Sequence, residues 1–353
     1  VLLALLTPCL GMPPCHAGGQ AMDLSGEWAF QLDEQKVGQR ERWFQKDLKD
    51  RIALPGSTDE AGFGAKSEPD PVRLTREHRY VGPAWYQKTI EIPTSWQGKR
   101  VELFLERAMW ETKVWIDDHY IGMQDSLCVP HRFDLSDFLT PGTQRLTLRI
   151  DNRLKINEGN EPRCHPDQGG WSRMWSMCLT EESQGNWNAV IGRIELQVQD
   201  PVWIERVEAH SDLGKKQTRV SAWVRSRVGS VSGELKVSAS CGDHTMLAVT
   251  AQFRTKGDNE LSARDHLSPM MSDLGGIYYE RRALTKVDLI LPFGEGAKLW
   301  DEFSPNVYQL EVELSGQDGA GVTYRDTHSD TFGLRQFVAD GKHFKLNGRT
   351  VFI

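Results

Sequence analysis

The sequence predicts an all-β chain made of successive sandwiches. Three observations carry that prediction. Apolar and polar residues alternate with a period of two, turn residues recur about every 8–12 positions, and no strand–helix–strand alternation appears. Alternation of this kind gives each strand one apolar and one solvated face, as in an antiparallel sheet covering a single core.

The chain opens on VLLALL (residues 1–6), followed by TPCLGMPPCHAGG. This reads as the apolar part of a secretory signal with Ala17 as a cleavage point, and the true start is expected upstream. The run is far shorter than the roughly 20 residues that span a bilayer. Residues 39–50 (QRERWFQKDLKD) are the best short helix candidate, with Trp43, Phe44 and Leu48 available for one face. VELFLE (101–106), LTLRI (146–150) and YQLEVEL (308–314) are alternating strands. Asp117-Asp118 and Asn347-Gly348 each separate two such runs and read as hairpin turns. The second is the stronger, because Asn and Gly tolerate positive φ. A boundary is expected near Gln199-Asp200-Pro201. Nine of the twelve Trp precede it, and the Val/Ser-rich strands beyond it suit a smaller, immunoglobulin-type sandwich. Residues 258–276 are polar and Gly-containing and read as a loop.

Across 353 residues there are 42 Lys+Arg against 49 Asp+Glu, a formal charge of −7, which argues against a nucleic-acid binder. With 39% hydrophobic and 26% charged residues the composition is that of a globular chain, not a disordered one. Six Cys occur, of which Cys164 and Cys178 are spaced to pair across a loop in an oxidising compartment.

Signatures of nucleotide, zinc and serine-hydrolase chemistry are missing. Gly62-Phe63-Gly64 lacks the third Gly of a dinucleotide turn, and Gly229–Gly233 carries Val where a nucleophile elbow needs Ser. Cys164-His165 supplies two metal ligands at most, so no metal site is assigned. Glu181-Glu182 reads as a solvated acidic loop. Retaining sugar hydrolysis needs two carboxyl groups about 5–5.5 Å apart on a rigid scaffold, and the spacing of acids here selects no such pair.

Seven segments, taken together and in order, resemble the front end of glycoside hydrolase family 2, the β-galactosidases, β-glucuronidases and β-mannosidases. They are DLSGEW (23–28), YVGPAWYQKTIEIP (80–93), GKRVELFLERAMWETKVWIDDHYIG (98–122), the stretch 133–152 ending LTLRIDN, GNWNAVIGRIELQVQD (185–200), LWDEFSPNVYQLEVEL (299–314) and TFGLRQFVADGKHFKLNGRTVFI (331–353).

The resemblance implies a jelly-roll, sugar-binding-type sandwich over residues 23–200 and an immunoglobulin-like sandwich over 201–332. Residues 333–353 are then the lead-in to a (β/α)8 barrel lying beyond this chain. It also implies that the acid/base and nucleophile Glu lie in that barrel, so no catalytic residue is assigned here. In the family a loop of the first domain helps to bind the terminal sugar, and the matching stretch is 183–188. Asn186 and Asn188 are therefore expected to hydrogen-bond sugar hydroxyls and Trp187 to stack on a pyranose face. The bland alternative makes Trp187 a packing anchor and the Asn residues turn formers. β-Galactosidases tend to carry an acid about here, and SQGNWN departs from that. Trp85 and Trp115 read as core; Trp171 and Trp175 offer a second stacking platform or a packed loop. Arg76, His78 and Arg79 read as a solvated strand end, and Asp59 has no assigned role.

The expectation is an exported, N-terminal piece of a retaining glycosidase acting on terminal β-linked sugars. It needs no cofactor, its partner is a carbohydrate substrate rather than nucleic acid or a membrane span, and the intact enzyme is open to homo-oligomerisation. The competing expectation is a stand-alone carbohydrate-binding or adhesion protein of two sandwiches.

Overall fold

The computed structural model describes residues 20–68, 76–126, 129–153, 157–158, 161–162, 187–256 and 284–352. The fold is all-β: no α-helix occurs among the described residues, only two 3-10 turns, Trp43–Gln45 and Thr94–Trp96. The chain divides into two compact units that meet in sequence at residues 198 and 199.

The strands of the first unit are β1 (Gln20–Asp23), β2 (Gly26–Leu32), β3 (Asp50–Leu54), β4 (Gly56–Ser57), β5 (Ala65–Lys66), β6 (His78–Arg79), β7 (Pro83–Ile92), β8 (Arg100–Met109), β9 (Glu111–Ile116), β10 (His119–Gln124), β11 (His131–Asp134), β12 (Gly142–Asp151), β13 (Asn157–Glu158), β14 (Glu161–Pro162) and β15 (Ala189–Gln199). Six of them form the sheet β10-β9-β12-β7-β2-β3, and a five-stranded sheet runs β1-β15-β8-β11 with β4 joined to β15. The inward residues of both sheets, among them Trp28, Phe30, Tyr86, Leu103, Leu105, Leu148 and Leu196, make one buried core. The alternation read in 101–106 and 146–150 sends Val101, Leu103, Leu105, Leu146, Leu148 and Ile150 into this core, but the opposite face is not solvated there: Glu102, Phe104, Thr147 and Arg149 are buried as well.

The outer face of the six-stranded sheet is half covered. Residues 33–48 cross it as a strap, and Phe44 and Leu48 bury against Trp85 and Trp115. Asp33, itself buried, anchors the strap: its carboxylate accepts from the Val37 and Gly38 amides and from the Trp85 indole at 2.8–3.0 Å. Here the helix expected over residues 39–50 does not form. Arg42 sits at φ 55° and ψ 51°, the left-handed region, and only the single 3-10 turn at Trp43–Gln45 follows it. Trp43, Phe44 and Leu48 reach their partners along an irregular path, so their burial, not helical hydrogen bonding, fixes this segment. Trp85 and Trp115 are core residues as expected, 0% and 3% exposed.

The second unit holds β16 (Val202–Asp212), β17 (Gln217–Ser226), β18 (Val231–Cys241), β19 (His244–Arg254), β20 (Thr285–Pro292), β21 (Tyr308–Asp318) and β22 (Thr323–Phe332). They form the three- and four-stranded sheets, β16-β17-β20 and β19-β18-β21-β22, of an immunoglobulin-like sandwich. Its core includes Val220, Val224, Leu235, Val237, Tyr308 and Leu314. Gly233 and Gly316 face each other across β18 and β21. A Cβ built on Gly233 would lie 2.1 Å from the Ser315 carbonyl oxygen, so the two backbones meet where no side chain fits.

A last small sheet, β23 (Phe337–Asp340), β24 (His343–Leu346) and β25 (Arg349–Val351), contains the Asn-Gly hairpin. Asn347 at φ 50° and Gly348 at φ 84° adopt the left-handed pair that this dipeptide was expected to supply. The Asp117-Asp118 turn likewise joins β9 to β10.

Candidate functional site

The segment read as a sugar contact lies at the start of β15, where Ala189 pairs with Ser57. Beside it β12 ends and β7 begins, since Asp151 pairs with Pro83. This end of the first sandwich is held by two asparagines that are both 0% exposed.

Asn188 is one of them. Its amide nitrogen donates to the Gly82 carbonyl at 2.9 Å and the Ile150 carbonyl at 3.3 Å, and its side-chain oxygen accepts from the Tyr86 hydroxyl at 2.8 Å. Its backbone carbonyl takes the Thr58 amide at 3.0 Å. Asn152 is the other. Its oxygen accepts the Gly82 amide at 2.8 Å, and its nitrogen donates to the carbonyls of Tyr80 at 2.9 Å and Trp187 at 3.1 Å. The residue leaving β12 thus holds the residue before β15, and Asn188 holds β12 in return. The clasp ties the end of β12 to the residues that lead into β15 with hydrogen bonds that a buried amide is obliged to make.

Burial pushes the Tyr86 phenol well above its ordinary value, so its hydroxyl stays a donor. Burial does the same to Tyr80, whose hydroxyl donates to the Pro83 carbonyl at 2.6 Å.

Beside the clasp, Arg149 bridges Glu111 at 2.9 Å and Asp151 at 3.1 Å, all three buried. Asp151 also receives the Arg153 side chain, Nε at 2.9 Å, and that hydrogen bond raises the Arg153 guanidinium above its ordinary value. The Arg153 carbonyl accepts the Trp110 indole at 2.7 Å. Glu111 and Asp151 share Arg149, and both are spent on arginines in a buried ion-pair network. Asp59 accepts the His78 amide at 2.6 Å, and His78 and Arg79 form β6, paired with β5.

The expected sugar contacts therefore separate. Trp187 is half-buried at the rim. Asn188 turns inward, its amide consumed by Tyr86, Gly82 and Ile150, and it does not offer an amide to solvent, while Asn152 holds the Trp187 carbonyl. Asn186 lies outside the described residues, as do Glu181, Glu182, Trp171, Trp175, Cys164, Cys178 and all of 258–276. The clasp partner Asn152 was not singled out from sequence. It stands 36 positions from Asn188, and no local spacing rule links them.

Among the described residues no group of three or more His, Cys, Asp and Glu could hold a metal ion. Cys241 is a free thiol there. No helix of the described residues is long and apolar enough to cross a membrane.

Residues 21–173 match the sequence model of the glycosyl hydrolases family 2 sugar binding domain. The chain is 28% identical over 133 residues to a β-glucuronidase of Paenibacillus borealis, covering 37% of this chain and 21% of that protein. It is 23% identical over 342 residues to a β-galactosidase of Erwinia tasmaniensis, covering 94% of this chain and 29% of that one. Among solved structures, a β-glucuronidase from Ruminococcus gnavus in complex with D-glucuronic acid is similar with a TM-score of 0.60 at 17% identity, over 95% of this chain and 49% of that chain. Bacteroides uniformis β-glucuronidase 2 gives a TM-score of 0.62 at 15% identity, over 94% and 34%. The chain thus spans 21–29% of these curated relatives and at most about half of these solved structures. Over residues 21–173, then, the chain is similar to the sugar binding domain of the family 2 glycosyl hydrolases, and its fold is that of the N-terminal part of these solved enzymes.

Proposed function

We propose that this chain supplies the two sandwich modules of a retaining glycosidase that acts on a terminal β-linked sugar. The observation that carries the reading is the match of residues 21–173 to the family 2 sugar binding domain, in a chain that aligns along 94% of its length with a family enzyme more than three times as long.

In this reading the two catalytic carboxyl groups belong to residues beyond this sequence. The first sandwich presents Trp187 at its rim as a face for the terminal sugar, and the Asn152–Asn188 clasp fixes that residue's backbone. An aromatic ring on a clasped backbone gives contact area at little conformational cost, which suits recognition of a pyranose face. The described acids support this division of labour. Glu111 and Asp151 are locked to arginines, and Asp117, beside a surface groove, is spent on the Arg145 amide and the Gln144 side chain.

The apolar run of residues 1–6 supports export of the protein, which N-terminal sequencing of the mature form tests.

The purified chain is assayed against aryl β-glucuronide and aryl β-galactoside beside a longer gene product that contains it. The longer product turns over one of them with retention at the anomeric carbon, Trp187→Ala raises its KM, and the chain alone is silent. Turnover by the chain itself, lost on changing one of its own carboxylates, sinks the reading. Saturable sugar binding with no active longer product favours the stand-alone binding protein instead.

A further inference from the structure

The first sandwich has a surface concavity away from the Asn152–Asn188 clasp. It lies at the other end of β12, where Arg145 stands seven residues before Asn152, about 23 Å along a strand at about 3.3 Å per residue. Its volume is about 410 Å3, within the range of small-molecule sites, and it is lined by Phe44, Gln45, Thr89, Asp117, Asp118, Thr143, Gln144 and Arg145.

Its parts are held rigidly. Thr89 and Arg145 are register partners on β7 and β12 and form the floor. The strap makes one wall: Phe44 stacks on Trp115 at 5.4 Å, and Arg145 pairs with Asp47 at 2.7 Å. The β9–β10 turn makes the other: Asp117 accepts the Arg145 amide at 2.8 Å and the Gln144 side chain at 3.2 Å. Between these walls the side chains of Gln45, Thr89 and Asp118 make no hydrogen bond among the described residues. The groove thus presents an unspent amide, hydroxyl and carboxylate together with a guanidinium, a mixed set of donors and acceptors.

We infer that this groove is a second carbohydrate site, taking a segment of a neutral oligosaccharide. Every sugar hydroxyl is both donor and acceptor, and a mixed set of this kind satisfies both roles. Asp47, Asp117 and Asp118 outnumber Arg145, so an acidic polysaccharide is repelled. The choice of a carbohydrate over another polyol rests on the glycosidase reading; the site itself does not.

The test is calorimetric titration of the whole chain with β-1,4-linked gluco-, manno- and xylohexaose, and with polygalacturonate. At least one neutral hexasaccharide binds saturably. Asp118→Ala and Gln45→Ala each weaken it about tenfold, the size of one lost charge-assisted or amide hydrogen bond. Thr89→Trp, which fills the groove, abolishes it, and Trp187→Ala leaves it unchanged. Asp118 is an exposed turn residue, so its variant decides the matter where Thr89→Trp unfolds the protein. The inference fails if no neutral probe binds at millimolar concentration, if Trp187→Ala removes binding that Thr89→Trp keeps, or if polygalacturonate is preferred. A silent glycosidase assay with intact groove binding sinks the enzymatic reading alone.

Discussion

Asn188 shows how a polar side chain becomes structural when its surroundings leave it no solvent. Replacing it with Ala strands the Tyr86 hydroxyl and removes the donor to two carbonyls, with a cost of at least about 1–3 kcal/mol. Asn188→Asp behaves differently with pH. The carboxylate faces the Gly82 and Ile150 carbonyls, whereas its protonated form donates to one of them, so this variant is more stable to urea at pH 4.5 than at pH 7.5 relative to the parent. His131 is a second case. Its Nε2–H donates to the Ser126 carbonyl at 2.8 Å, so its Nδ1 accepts from the Thr112 hydroxyl at 3.0 Å, and the ring is neutral. Burial pushes its pKa below the ordinary 6.5, against opposing contributions from the Ser126 carbonyl and Asp125. The unfolded chain then takes the proton first. Stability is retained above pH 6.5 and falls as the pH drops below it, by at most about 1.4 kcal/mol per pH unit for this one group. Urea midpoints from pH 7.5 to 5 check this, and His131→Gln flattens the slope.

Among the elements, the close approach of β18 and β21 is the least forgiving. Gly233→Ala forces a methyl into the Ser315 carbonyl, and the strands must part at a ladder inside the second sandwich. The expected loss is about 1–3 kcal/mol or more, read as a lowered unfolding midpoint, while Gly98→Ala, with nothing near its Cβ but a φ of +76°, shows the cost of backbone strain without the collision. What sequence revealed at this scale follows the range of each signal. The turns at Asp117-Asp118 and Asn347-Gly348 were legible because two residues dictate their own backbone. Strand identity was legible because alternation is local. The strap at 33–48 was not, because what orders it is Asp33 reaching the Trp85 indole, a contact across 52 positions. The clasp escaped notice for the same reason, and it reversed the outward role expected of Asn188.

For the molecule as a whole, the excess of 49 acidic over 42 basic residues sets how it meets other polymers. It gives no mobility shift with duplex DNA at physiological salt, where binding depends on lysines and arginines displacing counterions; a shift that weakens steeply with added salt would contradict this. Two all-β modules in succession were readable from composition and alternation. A site was not, because contacts such as Asn188 to Tyr86 join residues about a hundred positions apart that meet only through the fold.

Trp187 differs from the indoles of Trp28, Trp85 and Trp203, which are at most 1% exposed. A collisional quencher such as iodide reaches half-exposed indoles and spares sealed ones. Subtracting the emission of a Trp187→Phe variant from that of the parent therefore isolates the rim, and sugar arriving there announces itself as lost quenching, with no label attached.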